Sequence, residues 1–114
     1  MENSVSINYN FAKKIFNSLS YENYKKLLFT NESLYSSSKA KGSQKLIDII
    51  FSLCNTYDVV ITDGTSNIGT DSIHLANKFK YINCVEIDKD NYFALNNNIS
   101  ILNKKDNMKS YNDD

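Results

Sequence analysis

The chain has 114 residues, 13 basic and 13 acidic side chains, 41% hydrophobic residues and no Pro or Trp, so its formal net charge is zero. This length supports one small domain, and the ordinary apolar fraction argues against a wholly disordered chain. Every basic residue is Lys, so the bidentate phosphate clamps that Arg provides are excluded. The composition also excludes a strongly basic nucleic-acid binder, and any contact with RNA depends on Lys.

The sequence shows no signal for a membrane or a secretory route. Its longest apolar runs, such as Leu46–Cys54, are far shorter than the ~20 residues that span a bilayer. The segment Met1–Asn10 lacks a basic start followed by an apolar stretch, so we expect a cytoplasmic or nuclear location. Cys54 and Cys84 lack metal-site spacing and His neighbours, so we predict two buried thiols and no bound metal.

Short helices and a loop are predicted at the start of the chain. Apolar residues at helical spacing occur on both sides of Ser20, which predicts two helices with Ser20 as the N-cap of the second. The polar stretch from Thr30 to Ser43 predicts a loop. Ser43 is expected to cap a longer helix, because Leu46–Cys54 carries a wide apolar stripe with a period of about 3.6 residues.

A β-α-β unit is predicted in the second half of the chain. Asp58–Thr62 and Tyr81–Ile87 are β-branched runs typical of buried parallel strands, and helical spacing occupies residues 70–80 between them. Asp88 is a suitable N-cap for a further helix. The residues from Lys109 onward are expected to begin a third strand.

Candidate binding residues follow the two predicted strands of this unit. Asp63 and Gly64 come directly after the first strand, Gly69 precedes the next helix, and Glu86 and Asp88 end the second strand. Glycine lets the backbone approach a ligand closely, and parallel strands bring their carboxyl ends to one edge of a sheet. In nucleotide-binding folds an acid about 20 residues further on accepts hydrogen bonds from ribose hydroxyls. The spacing therefore predicts a pocket for a ribose-bearing ligand.

Three classes of ligand compete for this pocket. The turn has glycines only at Gly64 and Gly69, which departs from GxGxxG and disfavours NAD or FAD. A P-loop would need Lys and a hydroxyl residue where Thr70 and Asp71 stand, and an acid there repels phosphate. ATP binding is therefore the weaker alternative. A ligand with ribose but without phosphate fits best, and S-adenosylmethionine is the common one.

From about Leu34 to Asp113 the sequence resembles the class I S-adenosylmethionine-dependent methyltransferases. Within that family it is most similar to the RNA cap guanine-N2 (trimethylguanosine synthase-like) group and its large-DNA-virus relatives. The segment Leu34-Tyr35-Ser36 resembles the part of these enzymes that closes over cofactor and substrate. The resemblance implies six cofactor-binding residues: Asp63, Gly64, Gly69, Glu86, Asp88 and Asp113.

The resemblance also implies a role for each of these positions. The acid and the glycines after the first strand shape the pocket for the methionine and adenosyl parts. Glu86 corresponds to the ribose-binding acid, Asp88 follows two residues later, and Asp113 corresponds to the acid that faces adenine. Asn67 and Thr70 stand where glycines are usual in the family, so the methionine side of the pocket is expected to be tighter.

The family's acceptor-binding motif is missing from the sequence. Amino-methylating members carry an Asn or Asp, two prolines and an aromatic residue after the fourth strand, and this chain has no Pro. That motif orients the attacking amine, so no catalytic residue is assigned and enzymatic activity is left open. We expect a truncated methyltransferase. The alternative is a non-catalytic remnant or a partner-binding module with the same fold.

The expected architecture is an α/β, partial Rossmann-like methyltransferase fold with N-terminal helices and a two- to three-stranded parallel sheet. The helices and an access loop are assigned to residues 1–42, and the cofactor-binding half to residues 43–114, in a single compact unit. The first strand of the sheet would form an apolar edge, which predicts self-association or a partner chain. RNA is a further expected partner.

Overall fold

The computed structural model describes residues 3–16, 19–36 and 40–113. An N-terminal layer, residues 3–16 and 19–36, contains short elements that cover the helices of the second half. These elements are β1 (Val5–Ser6), α1 (Tyr9–Ile15), α2 (Tyr21–Lys26), β2 (Phe29–Thr30) and α3 (Asn31–Ser36). Strands β1 and β2 pair in an antiparallel manner. The two predicted N-terminal helices are confirmed, and the Ser20 hydroxyl accepts a hydrogen bond from the Asn23 N–H as an N-cap should.

The second half alternates helices with parallel strands. Its elements are α4 (Ala40–Cys54), β3 (Val60–Asp63), α5 (Thr70–Ala76), β4 (Tyr81–Val85), α6 (Lys89–Ile101) and β5 (Met108–Tyr111). The sheet order is β3-β4-β5, and both neighbouring pairs are parallel. The predicted β-α-β unit, the third strand and the Asp88 N-cap, which accepts from the Asn91 N–H, are all confirmed. The chain therefore has the α/β architecture with a three-stranded parallel sheet that the sequence predicts.

The loop predicted from Thr30 to Ser43 is wrong for most of its described residues. Helix α3 begins at Asn31 because the Thr30 hydroxyl accepts from the Ser33 N–H while the Ser33 hydroxyl accepts from the Thr30 N–H. This reciprocal pair is a variant of the capping box. Helix α4 already begins at Ala40, so Ser43 lies inside it and donates to Asp71 Oδ1 (2.7 Å) instead of capping it. Residues 37–39 of the predicted loop lie outside the described residues.

Within the described part of the chain, helices cover one face of the parallel sheet and leave the other open. Helix α5 contacts the covered face through the hydrogen bond from Ser72 to Asp63, and α6 contacts it through the hydrogen bond from Ser110 to Asn96. The covered face consists of two rows of paired strand residues: Ile61, Ile82 and Met108 in one, and Asp63, Cys84 and Ser110 in the other. Because strand residues alternate between faces, the remaining residues share the opposite face. None of these is buried: Val60, Thr62, Tyr81, Asn83, Val85, Lys109 and Tyr111. Strand β3, predicted to be buried, is therefore an exposed edge, as the apolar-edge prediction requires.

Buried amides join the N-terminal layer to the second half. The Asn98 side chain on α6 is fully buried, accepts from the Leu28 N–H (2.8 Å) and donates to the Leu28 carbonyl (3.0 Å) and the Ile68 carbonyl (3.0 Å). The His74 ring is hydrogen-bonded to the Ile15 carbonyl (2.7 Å) and stacks on Phe16. These contacts place the N-terminal layer against α5 and α6, on the side away from the sheet.

The two cysteines occupy different environments. Cys84 is buried in β4 as predicted, whereas Cys54 is exposed, so that prediction is wrong for Cys54. Cys54 is the last residue of α4 and follows Leu53, which is 81% exposed. Within the described ranges, no helix combines the length and the apolar character needed to cross a membrane.

Candidate functional site

A cleft lies at the carboxyl ends of β3 and β4, beneath α3. It consists of two adjoining hollows of about 320 and 330 Å³. The first, called here the inner hollow, is lined by Glu32, Ser36, Asp63, Thr65, Ser66, Asn67, Thr70 and Asp71. The second, the outer hollow, is lined by Glu32, Gly64, Thr65, Asn67, Glu86, Ile87 and Asp113. Carboxyl ends of parallel strands are where open α/β sheets bind ligands, so this cleft is the candidate site.

The turn after β3 is held by hydrogen bonds that Asp63 accepts. Its Oδ1 accepts from the Thr65 N–H (3.1 Å), and its Oδ2 accepts from the Ser72 hydroxyl (2.7 Å). The Ser66 hydroxyl donates to the Asp63 carbonyl (2.9 Å) and so closes the turn. Asp63 therefore lines the inner hollow as a carboxylate fixed by the turn and α5.

The Glu86 carboxylate lies at the floor of the outer hollow and holds two backbone N–H groups there. Its Oε1 accepts from the Asn67 N–H (2.7 Å), and its Oε2 accepts from the Asp88 N–H (2.9 Å). The residue is only 8% exposed, yet it lines the outer hollow. An ionised carboxylate offers about four lone-pair sites. Glu86 can therefore hold the turn and still accept hydrogen bonds from a ligand.

The two glycines of the turn have different surroundings. Gly64 lines the outer hollow, and a Cβ added there would meet no atom within 4 Å. Gly69 is buried, has φ +97° in the left-handed region, and a Cβ there would lie 2.7 Å from Leu95 Cδ1. Gly69 lies outside both linings, and it lets the turn pass close to α6.

Of the remaining predicted site residues, Asp113 lines the cleft and Asp88, which is half-buried, does not. Asp88 caps α6 and also accepts a hydrogen bond from Asn3 Nδ2 (3.2 Å), and it is outside both linings. Asp113 is exposed and lines the outer hollow. Four of the six predicted residues thus line the cleft: Asp63, Gly64, Glu86 and Asp113.

Several lining residues were not predicted from the sequence as binding residues. Glu32 comes from α3, in a segment that the sequence predicted to be a loop. Ser36 lies in the same helix and belongs to the stretch Leu34-Tyr35-Ser36 that, by resemblance, is expected to close over cofactor and substrate. The spacing of Thr30 and Ser33, which form the capping pair, is the signal that could have revealed this helix. Ser36 is tied to the turn because its hydroxyl accepts from Asn67 Nδ2 (2.9 Å).

The cleft is acidic. No Lys is among the described lining residues. Five carboxylates line the two hollows: Glu32, Asp63, Asp71, Glu86 and Asp113. Two buried polar atoms of the lining, Asn67 Oδ1 and Thr70 Oγ1, have no hydrogen-bond partner among the described residues. Buried polar atoms are normally paired, so these two are suited to a bound molecule.

Directly beneath the turn lies the Cys84 thiol. Burial raises the pKa of this thiol, while hydrogen bonds with the Ser72 and Ser66 side chains act in the opposite direction. The neutral thiol is therefore the form favoured in the fold. Cys84 acts as a small apolar support for the site and not as a nucleophile.

Part of the chain is similar in sequence to a viral protein. No family model matches the chain. The uncharacterized protein L320 of Acanthamoeba polyphaga mimivirus is 38% identical over 55 residues, which are 48% of this chain and 21% of that protein. The chain therefore spans about a fifth of the length of this relative.

Comparison with solved structures identifies the fold. A candidate RNA methyltransferase, PH1948 from Pyrococcus horikoshii, superimposes with a TM-score of 0.57 at 22% identity, over 66% of this chain and 37% of that one. Trm5b from Pyrococcus abyssi superimposes with a TM-score of 0.55 at 21% identity, over 74% of this chain and 24% of Trm5b. Coclaurine N-methyltransferase, solved with S-adenosylhomocysteine, superimposes with a TM-score of 0.53 at 16% identity, over 96% of this chain and 32% of that enzyme. The chain has the Rossmann-like methyltransferase fold and spans 24% to 37% of the length of these structures.

Proposed function

We propose that this chain is the cofactor-binding part of an S-adenosylmethionine-dependent methyltransferase that acts on RNA. The observation that carries the proposal is the position of Glu86 at the carboxyl end of β4, with its carboxylate on the floor of a cleft. The methyltransferase fold of the solved structures supports it. In this proposal Glu86 binds the ribose, Asp113 faces the adenine, and Gly64 lets the backbone approach the ligand.

The inner hollow is proposed to hold the methionine part of the cofactor. Asp63 and Asp71 provide negative charge there, and the Thr70 hydroxyl is a buried polar group without a partner among the described residues. Gly69 and Asp88 contribute indirectly, since Gly69 lets the turn pack on α6 and Asp88 donates its N–H to Glu86. The cofactor itself supplies the activated methyl group.

The proposed acceptor is guanine N2 of an RNA cap. A cap guanine methylated at N7 carries positive charge, and the carboxylates of the cleft suit a cation better than a phosphodiester. Tyr35 is 93% exposed and precedes Ser36 on α3, so in this proposal its free ring stacks on the cap base. The chain lacks the Pro-Pro-aromatic motif, so the remainder of the acceptor site is assigned to another polypeptide segment.

Calorimetric titration with S-adenosylmethionine tests the cofactor site. We expect saturable binding by the wild-type chain and a loss of at least about tenfold in affinity for Glu86→Gln, because an amide replaces a ribose-binding carboxylate. Glu22→Gln is the matched control, since Glu22 lies on α2 in an exposed pair with Lys25. Undiminished affinity in Glu86→Gln, with the fold intact by circular dichroism, would reject the proposed role.

A methyl-transfer assay tests the acceptor. The chain is incubated with tritiated S-adenosylmethionine and either N7-methylguanosine-capped RNA or the same RNA without a cap. Any incorporation by the chain alone should be confined to the capped RNA, and Tyr35→Ala should reduce it by about tenfold through lost stacking. Equal incorporation into uncapped RNA would contradict the cap proposal. No incorporation, together with normal cofactor binding, would favour the non-catalytic alternative.

That second function, a partner-binding module, is favoured by one observation. The face of the sheet opposite α5 and α6 has no buried residue among those described, although parallel sheets are normally covered on both faces. Strand β3 adds an exposed edge with Val60 at 59% exposure. Sedimentation equilibrium distinguishes the outcomes, because self-association through this edge gives a concentration-dependent mass.

A further inference from the structure

The two hollows of the cleft meet at a defined point. Three residues line both hollows: Glu32, Thr65 and Asn67. A single ligand that fills the cleft must therefore pass these residues where its two parts are joined. In S-adenosylmethionine the joining atom is the sulfonium sulfur, which links the adenosyl 5′-carbon to the methionine chain and carries the transferable methyl group.

The junction is electronegative. Glu32 projects from α3, and no ion pair or hydrogen bond to its carboxylate is found among the described residues. Asn67 Oδ1 is buried there without a partner, and Thr70, only 4% exposed, adds a second unpartnered oxygen in the inner hollow. Asp63 and Glu86 differ from Glu32, because their carboxylates already hold the turn. Among the described residues, the Glu32 carboxylate therefore lies at the junction without taking part in a contact that holds the fold.

We propose that Glu32 determines specificity for the charge on sulfur, so that the site binds the sulfonium cofactor more tightly than its neutral thioether product. This inference rests on the proposed function. During transfer the S–CH₃ bond breaks and its electron pair stays on sulfur, while the acceptor nitrogen forms the new N–CH₃ bond and its proton leaves to water. The sulfur thereby loses its positive charge, and S-adenosylhomocysteine loses its attraction to Glu32.

The solvent exposure of Glu32 limits how much it contributes to the preference for the sulfonium cofactor. Glu32 is exposed, so solvent screens its interaction with the sulfonium. We expect Glu32 to contribute about fivefold to the preference for S-adenosylmethionine over S-adenosylhomocysteine. The preference should weaken as salt is added, because an exposed charge pair is screened.

Calorimetric titration of the chain with three ligands tests the proposal. The ligands are S-adenosylmethionine, S-adenosylhomocysteine and sinefungin, which places an ammonium group where the sulfonium methyl stands. For Glu32→Gln we expect about fivefold weaker binding of the two cationic ligands and unchanged binding of S-adenosylhomocysteine. Glu32→Lys should reverse the preference. Glu22→Gln, which alters an exposed acid of α2 outside the cleft, should change none of the three affinities.

The outcomes separate this inference from the proposed function. Binding of all three ligands with a preference that Glu32→Gln and Glu32→Lys leave unchanged would overturn the role of Glu32 and leave the cofactor site standing. An equal loss for all three ligands would overturn it as well, because it would show a general contribution to binding. Absence of binding by any ligand to the wild-type chain would overturn the proposed function, and this inference with it.

Discussion

Strand β3 has two contrasting surroundings, one at its carboxyl end and one along its outer edge. At the carboxyl end, Asp63 accepts from Thr65 and Ser72, and the following turn is anchored to Glu86 of the next strand. Along the outer edge, Val60 is exposed and β3 has no neighbouring strand among the described residues. The polar end is therefore built from neighbours within the chain, whereas the apolar edge lacks them.

The specific interactions of β3 are therefore concentrated at the turn that follows it. The turn depends on one left-handed glycine, Gly69, and on the buried amide of Asn98, which joins it to α6 and to the N-terminal layer. The outer edge contributes little to the fold, since its side chains contact solvent. Substitutions near the turn should therefore be costly, and substitutions on the edge should not.

The largest effect is expected for Gly69→Ala. Its φ of +97° disfavours any residue with a Cβ, and that Cβ would lie 2.7 Å from Leu95 Cδ1. We expect a loss of about 2–4 kcal/mol in the free energy of unfolding, measured by urea denaturation. Gly64→Ala is the matched control, because its Cβ would meet nothing within 4 Å, and it should cost less than about 1 kcal/mol. Equal losses for the two variants would contradict the packing of the turn on α6.

A smaller loss is expected for Asn98→Ala. The substitution removes the partner of the Leu28 N–H and of the Leu28 and Ile68 carbonyls, which leaves polar groups unpaired where the N-terminal layer meets the turn. We expect a loss of about 2 kcal/mol by thermal denaturation. Ser100→Ala, at an exposed position on the same helix, serves as the control. A stability equal to that of the wild type would show that the layer is not held by this amide.

The thiols should react at different rates with a disulfide reagent. Cys54 is exposed and should react at once, while Cys84 is buried, has a raised pKa and should react only after unfolding. Because the folded-state pKa is raised, the stability contributed by Cys84 is present below the ordinary thiol pKa of about 8.5 and is lost as the pH rises through the raised value. Two rapidly reacting thiols in the native protein would contradict this packing.

The smallest effect is expected on the edge of β3. Val60→Thr keeps a β-branched side chain at a position that is 59% exposed, so the free energy of unfolding should change by less than about 0.5 kcal/mol. Thermal denaturation checks this value. A loss comparable to that of Asn98→Ala would show that Val60 is covered, and dilution would then tell whether a second copy covers it.

Much of the fold could be predicted because it depends on local patterns. The β-branched run before Asp63, the acid at Glu86 and the cap at Asp88 each carry a signal within a few residues. The burial of β3 was predicted wrongly because a β-branched run is typical of a buried strand whether or not a neighbour covers it. The burial of Cys54 was predicted wrongly because helical spacing says nothing about where the packing partner ends.

The site was harder to predict than the fold. Glu32 reaches the cleft only because α3 folds over the ends of β3 and β4, and that contact joins residues far apart in sequence. Gly69 matched the family motif, but its role is to let the turn pack on Leu95, which spacing alone does not distinguish from ligand contact. Side chains that approach from a distant element therefore required the three-dimensional arrangement.

Nuclear magnetic resonance titration of the ¹⁵N-labelled chain with S-adenosylhomocysteine tests the central claim most directly. The account predicts that the largest amide shift changes occur at Gly64, Thr65, Asn67, Glu86 and Ile87, where the turn and the end of β4 form the cleft. Shift changes confined to residues outside the cleft, or none at saturating ligand, would contradict it.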